Sequence, residues 1–232
     1  MDDPLALLYD VHGNLPALEA VLADAEAAGA RRFLLGGDYA LFGAWPRETM
    51  QRLCGLDADW IRGNAERWTA DPAAAPAREP LHSALGVCRE LLGEELVGRL
   101  AGLPAALVRD GVRYCHASPG SDTDAFDPEP GPRDGELLDG VRERRVVFGH
   151  THLQFRRVAA GGVELVNPGS VGLPFDGDPR AGYALVRDGA VALRRVPYDH
   201  RASAAAVRER FGPWAETVAR RIERSRLVLA DS

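Results

Sequence analysis

Apolar positions in the first part of the chain come as short runs separated by stretches of helical period. Residues 5–9 form a continuous apolar run, the pattern of a buried strand. Asn14 then stands as a helix N-cap with Pro16 in the first turn. Leu15, Leu18, Val21, Leu22 and Ala25 recur at helical spacing up to Gly29, a C-terminal stop. Residues 32–35 read as the next strand, ending in Gly36-Gly37-Asp38. Residues 46–54 read as a helix, and 58–62 as a third strand ending in Gly63-Asn64. Strand and helix in alternation predict an α/β architecture with parallel strands.

The texture then changes. Residues 71–80 are rich in Pro and Ala and read as a loop, and helical period returns over 82–100. Residues 105–109 and 112–116 flank Asp110-Gly111, a hairpin signal. The polar stretch 117–133 is too long for a plain turn and is expected to shape a pocket. A strand over 145–148 leads to Gly149-His150-Thr151-His152. Two further hairpins follow, 154–158 with 163–167 and 183–187 with 191–196. The stretch 203–229 reads as amphipathic helix, broken near Gly212-Pro213. No boundary divides the chain, so one domain over 1–232 is expected.

Composition narrows the function classes. A net charge of -6 gives no global positive field, so nucleic acid is not the expected partner. All 28 basic residues are arginine, which excludes lysine nucleophiles and a P-loop lysine. The three cysteines, Cys54, Cys88 and Cys115, are widely spaced, so neither a disulfide framework nor a cysteine-zinc site is expected. The start lacks the pattern of a signal peptide, and no apolar run is long enough to span a membrane. A reducing cytoplasm is the expected location.

The polar residues at the predicted strand ends carry the chemistry. They are Asp10 and His12, Asp38, Asn64, His116, and His150 with His152. Ligands of open α/β sheets gather beyond the strand C-termini. Residues two apart on a strand point to one side, so Asp10 with His12, and His150 with His152, are each expected to aim together at one place. Seven mixed Asp, Asn and His donors exceed what one tetrahedral zinc requires. They suit two metal ions about 3.5–4 Å apart, with Asp38 as the bridging carboxylate. The chemistry such a pair supplies is hydrolysis of a phosphate ester.

The blocks Asp10-Val-His12-Gly13-Asn14, Gly37-Asp38, Gly63-Asn64, His116 and Gly149-His150-Thr151-His152 resemble, in order and spacing, the signature of calcineurin-like metallophosphoesterases. Asn167-Pro168-Gly169-Ser170-Val171-Gly172 is similar to the segment after the last block in the small YfcE-type bacterial and archaeal branch. The resemblance implies a four-layer αββα sandwich of two mixed β-sheets flanked by helices. It places Asp10, His12 and His152 on a first metal, Asn64, His116 and His150 on a second, and Asp38 between them. Manganese, iron, nickel or zinc would serve. It further implies a hydroxide shared by the two ions as attacking group, with Asp38, Asn64 and His150 at the reacting centre. Where many members carry a histidine after the Gly-Asn pair, this chain has Ala65, which removes a leaving-group acid. Tyr9 stands where a small residue is usual, a change expected to affect packing alone.

Plainer readings stand beside these. His82 and His200 fall outside the pattern and read as surface residues. Cys115 beside His116 faces the other way on a strand and reads as a buried thiol. Ser170 reads as a turn residue near the site. Asn14, Arg62, Arg67 and Arg180 are candidate substrate contacts, the three arginines because their forks match phosphate oxygens. Trp45, Trp68 and Phe175 could wall a pocket or pack the core. Arg208, Arg210, Arg220 and Arg221 interleave with Glu209, Glu216 and Glu223, which reads as a solvated or homo-oligomer-facing helix. The function expected is hydrolysis of a small phosphomonoester or phosphodiester, a nucleotide among the options. A scaffold that keeps the fold without the activity is the alternative, and such a protein tends to lose ligands.

Overall fold

The computed structural model describes residues 3–229. Its strands are β1 (Leu5–Leu8), β2 (Arg32–Leu35), β3 (Ala58–Trp60), β4 (Ala106–Arg109), β5 (Val112–Cys115), β6 (Arg145–Val147), β7 (Phe155–Val158), β8 (Glu164–Asn167), β9 (Ala181–Arg187) and β10 (Ala190–Val196). Its helices are α1 (Leu15–Ala27), α2 (Pro46–Cys54), α3 (Asn64–Ala70), α4 (Leu81–Leu92), α5 (Glu94–Ala101), α6 (Asp134–Leu137), α7 (His200–Arg210) and α8 (Ala215–Arg224). The strands make two five-stranded sheets, ordered β10-β9-β1-β2-β3 and β4-β5-β6-β8-β7. Both are mixed. β1, β2 and β3 run parallel, as do β5, β6 and β8, while β9, β10, β4 and β7 pair antiparallel. This is the expected sandwich of two mixed sheets with flanking helices.

Strand alternation builds its layers. In β1, Ala6 and Leu8 face the helices that cover the first sheet, with Val21, Leu22, Met50, Leu53 and Leu85 in the same cluster. Leu7 faces the other way. It meets Tyr114, Val147 and Val166 of the second sheet, with Tyr9 just beyond β1 in the same inter-sheet layer. Fully burying one such aliphatic side chain contributes about 1.5–3 kcal/mol. The outer face of the second sheet is covered by Phe126 of the polar loop, with Leu137 of α6 packed against that cluster. A fourth cluster joins α7 and α8 to Ala44 and Leu173.

Three local readings change. The helical period over 82–100 is two helices, because Gly93 turns left-handed (φ 79) between α4 and α5. The one-turn α6 follows the polar stretch, where Asp134 is buried and takes both guanidinium arms of Arg157 on β7 at 2.7 and 2.9 Å. The helical reading of 203–229 stops early: α8 ends at Arg224, Ser225 is left-handed (φ 49), and no helix covers residues 225–229.

Candidate metal centre

All seven candidate donors lie just past strand ends, or, for Asn64, at the first residue of the helix that follows. The reason the pairs converge differs from strand periodicity. β1 stops at Leu8 and β6 at Val147, so neither Asp10–His12 nor His150–His152 lies on a strand. Asp10, His12, Asp38, His150 and His152 instead adopt left-handed backbone, with φ of 55°, 49°, 57°, 64° and 59°. That conformation costs a non-glycine residue about 1–2 kcal/mol, and Asp and His tolerate it better than most. Asp10 and His12 do share one cluster with His152. His150 and His152 do not aim together: His152 Nε2 faces His12 Nε2 at 3.1 Å, whereas His150 Nδ1 faces the Asn64 amide at 2.9 Å.

Backbone bonds hold these loops in place. Asp10, His12 and Gly13 donate their N–H groups to Gly37, Asp38 and Tyr39 carbonyls, which prolongs the β1–β2 pairing into the loops. Glycine is required where a carboxylate passes close to the chain. A Cβ at Gly63 would stand 2.3 Å from Asp38 Oδ1, and one at Gly149 would stand 2.5 Å from Asp10 Oδ2 and 2.6 Å from the Tyr9 ring. The Tyr9 ring fills the space between the sheets, as the packing expectation had it.

A further set of buried groups orients the donors, and the sequence did not single most of them out. The Glu66 carboxylate accepts from the backbone N–H of Asp38 (2.9 Å), Tyr39 (2.9 Å) and Gly63 (2.8 Å). It thereby locks the Asp38 loop to the start of α3. Ser170 donates to the Asp10 carbonyl at 2.7 Å and accepts from Leu173 N–H at 2.8 Å. Asn167 donates to the Gly149 carbonyl and to Thr151 Oγ1, both at 3.0 Å. The signal for Glu66 was its place three residues after Gly63, the spacing of a capping box.

Three histidines are fixed as one tautomer. Nδ1 of His12, His116 and His152 each bonds a backbone carbonyl, of Leu41, Gly36 and Leu173. A carbonyl only accepts, so Nδ1 carries the proton and each Nε2 lone pair points inward. The Asp38 carboxylate lies between the two ends of the cluster, Oδ2 at 3.7 Å from His12 Nε2 and Oδ1 at 3.4 Å from His116 Nε2. Asp10 Oδ1 stands 3.5 Å from His152 Nε2 and 3.9 Å from His116 Nε2, with no hydrogen-bond partner although it is buried. The Asn64 amide is 2.9 Å from both His116 Nε2 and His150 Nδ1. Turned nitrogen-inward it donates to both rings. Turned oxygen-inward it faces both ring nitrogens, and a cation between them would satisfy all three groups. Asp10-His12-His152 and Asp10-Asp38-His116 each bring donor atoms within 4.8 Å of one another. An orphaned buried carboxylate oxygen and inward-facing imidazole lone pairs fit divalent cations.

For His12, His150 and Asp10 the electrostatics agree with that fit. Burial, with His152 beside it, lowers the His12 pKa to about 3, and burial with His116 lowers that of His150 to about 4. Both rings are therefore neutral and free to bind a cation at neutral pH. Burial pushes Asp38 up to about 7, with Glu66 and Asp10 adding to the rise against His116. Burial would raise Asp10 too, but His152, His116 and His12 hold it well below the usual carboxylate range. For His116 the attraction of Asp38 and Asp10 outweighs burial and raises its pKa.

The cluster floors a cavity of about 310 Å³ whose lining includes His12, Asp38, Asn64, His150 and His152. Trp68 and Phe175 stand in its wall, Phe175 stacked on His152 at 4.5 Å. Trp45 packs against the α7–α8 cluster instead. The candidate substrate contacts do not line this cavity. Asn14 is buried and committed to the fold: its amide donates to Gly172 and Tyr198, and its oxygen caps α1 and accepts from Ser203. Arg180 pairs with Asp178. Arg62 bonds the Ala101 carbonyl and lines a separate hollow of about 390 Å³, shared with His116 and residues 118–123 of the polar loop. Cys115 is a buried free thiol on the outer face of the second sheet, its pKa raised by burial to about 12. Arg221, read from sequence as one of several surface arginines, is buried and lines the cavity.

A two-sheet sandwich whose strand ends gather these donors defines the class. The chain belongs to the calcineurin-like phosphoesterase superfamily, whose domain model matches residues 4–188. It is similar to a metallophosphoesterase from Sphaerobacter thermophilus of known crystal structure, at 25% identity and a TM-score of 0.80 over 97% of this chain and 100% of that one. Protein MJ0912 of Methanocaldococcus jannaschii is 25% identical, covering 90% of this chain and 94% of its own. YfcE, a phosphoesterase from E. coli, is also similar, at 21% identity over 84% of this chain and 100% of its own, with a TM-score of 0.49.

Proposed function

We propose that the protein is a dinuclear metal-dependent hydrolase of small phosphomonoesters or phosphodiesters. The observation that carries this reading is the cluster itself: imidazole nitrogens, those of His12 and His150 kept neutral by burial, and an unpartnered Asp10 oxygen converge at the floor of an open cavity. Asp10, His12 and His152 would hold one cation, Asn64, His116 and His150 the other, with Asp38 reaching both sides. Mixed N and O donors without thiolate suit manganese, iron, nickel or zinc. Two such cations supply Lewis-acid polarisation of a phosphoryl group and water activation near neutral pH. The chain's own residues position and exclude. The histidine Nδ1–carbonyl bonds fix ligand direction, Glu66 and Ser170 fix the carboxylate loops, and the aromatic wall limits water. Among residues 3–229 no helix is long and apolar enough to cross a membrane, and the three cysteines are free thiols, which fits a cytoplasmic enzyme.

The test is hydrolysis of bis-p-nitrophenyl phosphate and p-nitrophenyl phosphate by metal-stripped protein after adding back manganese, nickel or zinc. Asp38→Ala and calorimetric metal binding accompany it. Turnover that needs metal and vanishes in the variant supports the reading. Two bound ions with no turnover on any ester would favour the scaffold alternative, and absence of metal binding would overturn the proposal.

A further inference from the structure

The C-terminal helix α8 delivers a charge to the cavity that the metal cluster does not use. Arg221 is 9% exposed and lines the cavity beside His12, Asp38, Asn64 and His150. Its Nε donates to the Val228 carbonyl at 2.8 Å. Its guanidinium carbon stands 6.0 Å from the Phe42 ring, and that ring is 5.7 Å from the His12 ring. Phe42 is therefore a neighbour of both the guanidinium and one ring of the metal cluster. Arg78, from the loop before α4, lines the same cavity and is close enough to repel Arg221. Among the described residues neither arginine has an ion-pair partner, and the rim carboxylate Glu79 pairs with neither. Arg208, on the neighbouring helix, takes two glutamates. Burying a guanidinium without a counter-charge is costly, so Arg221, unpaired among the described residues and with the exposed Arg78 on the same cavity, leaves a demand for an anion. The same cavity is lined by the apolar and aromatic side chains of Phe42, Trp68, Leu81, Leu173 and Phe175.

We propose that Arg221 and Arg78 form a second anion subsite, so that the preferred substrate carries a second phosphoryl group beyond the one at the metal cluster. The substrate class is an organic phosphate with two phosphoryl groups and a flat apolar body, such as a nucleoside diphosphate or bisphosphate. Guanidinium forks bind phosphoryl oxygens in pairs, and the aromatic wall accepts a planar ring. The inference rests on the hydrolase reading for the first phosphoryl group but not for the subsite itself.

The test is calorimetric binding of inorganic pyrophosphate to metal-free protein in chelator, with orthophosphate for comparison. Pyrophosphate is expected to bind the wild type more tightly than orthophosphate. Arg221→Gln and Arg78→Gln should each weaken it by about tenfold or more, the scale of a charged hydrogen bond, and Arg221→Lys should restore part of the loss. Arg221→Gln also removes the bond to Val228 and could loosen the fold. Arg78 is exposed, so Arg78→Gln should melt like the wild type and keeps the test decisive. Kinetics of the metal-loaded protein add a second readout. Arg78→Gln should raise KM for adenosine 5′-diphosphate about tenfold more than KM for p-nitrophenyl phosphate. Pyrophosphate affinity equal in wild type and both glutamine variants, or equal KM changes for both esters, would overturn the subsite and leave the hydrolase standing. Intact pyrophosphate binding with no turnover of any ester would support the subsite while removing the hydrolase.

Discussion

Two kinds of charge cluster coexist in this molecule. On the second sheet, Glu164 of β8 receives Arg145 and Arg156, and between the last two helices Arg208 is clasped by Glu216 at 2.7 Å and Glu223 at 2.6 Å. Each of these charges finds its opposite within the chain, on relaxed helix or strand. At the strand ends the balance differs. Two buried carboxylates face four histidines, an Asp10 oxygen has no partner, and five of the donors sit on left-handed backbone. The first kind is complete without any ligand. The second leaves a buried carboxylate oxygen without a partner, and a bound cation would complete it. Strain and orphaned polar atoms persist where function requires them.

Removing a donor should produce the largest effect. Asp10→Ala takes away a carboxylate that reaches both halves of the cluster. Metal affinity and metal-dependent turnover should each fall by more than about a hundredfold, beyond the range of outer-shell losses. Calorimetry and the nitrophenyl esters read this directly, and retained affinity would break the contrast drawn above.

Weakening the support should cost less. Ser170→Ala loses the bonds to the Asp10 carbonyl and Leu173 N–H. It should reduce metal affinity about 10–100-fold and stability by about 1–3 kcal/mol, measured by denaturant melts of the metal-free form. A loss of stability with unchanged metal affinity would make Ser170 a plain fold residue.

The leaving group gives a finer probe. Ala65 is buried at the start of α3 and spends its N–H on Asp38 Oδ1 at 2.8 Å, and its methyl group has no proton to give. Without that acid, esters of phenols should turn over faster than esters of simple alcohols, by about tenfold or more across a leaving-group series. Equal rates along the series would show that another group supplies the proton.

The smallest effects belong to the completed clusters. Burial alone would raise the Glu164 pKa, but Arg145 and Arg156 outweigh it and hold it below the ordinary 4.5. A carboxylate depressed in the folded state stabilises above its unfolded pKa, and that contribution is lost as pH falls through the folded value. Glu164→Gln should therefore cost about 1 kcal/mol at pH 7, and the gap to wild type should close as pH falls below 4.5. Thermal melts across pH 3–7 check it, and metal affinity should not move. A gap that widens in acid would reverse the sign of this account.

The sequence carried a good deal of this. Short apolar runs located the strands, Asp110-Gly111 located a hairpin, and both residues take the left-handed turn it needs. The polar residues after each run named the seven candidate donors that the fold gathers, because strand ends deliver whatever follows them to one edge of a sheet. That logic is local and therefore readable from residue order.

What the order of residues left undecided depends on contacts between distant segments. His150 and His152 separate to opposite ends of the cluster because alternate residues of their loop turn left-handed, not because a strand directs them. Asn14 looked free to meet substrate, yet Gly172, Tyr198 and Ser203 use up its amide from more than half the chain away. Arg221 looked like one more surface arginine on a charged helix. The apolar stripe of Val218, Ala219 and Ile222 packs that helix against Ala44, Leu173 and α7, and Arg221 then lines the cavity. Periodicity fixes which face of a helix is buried, but only the packed structure decides what that face, and the charge beside it, is buried against.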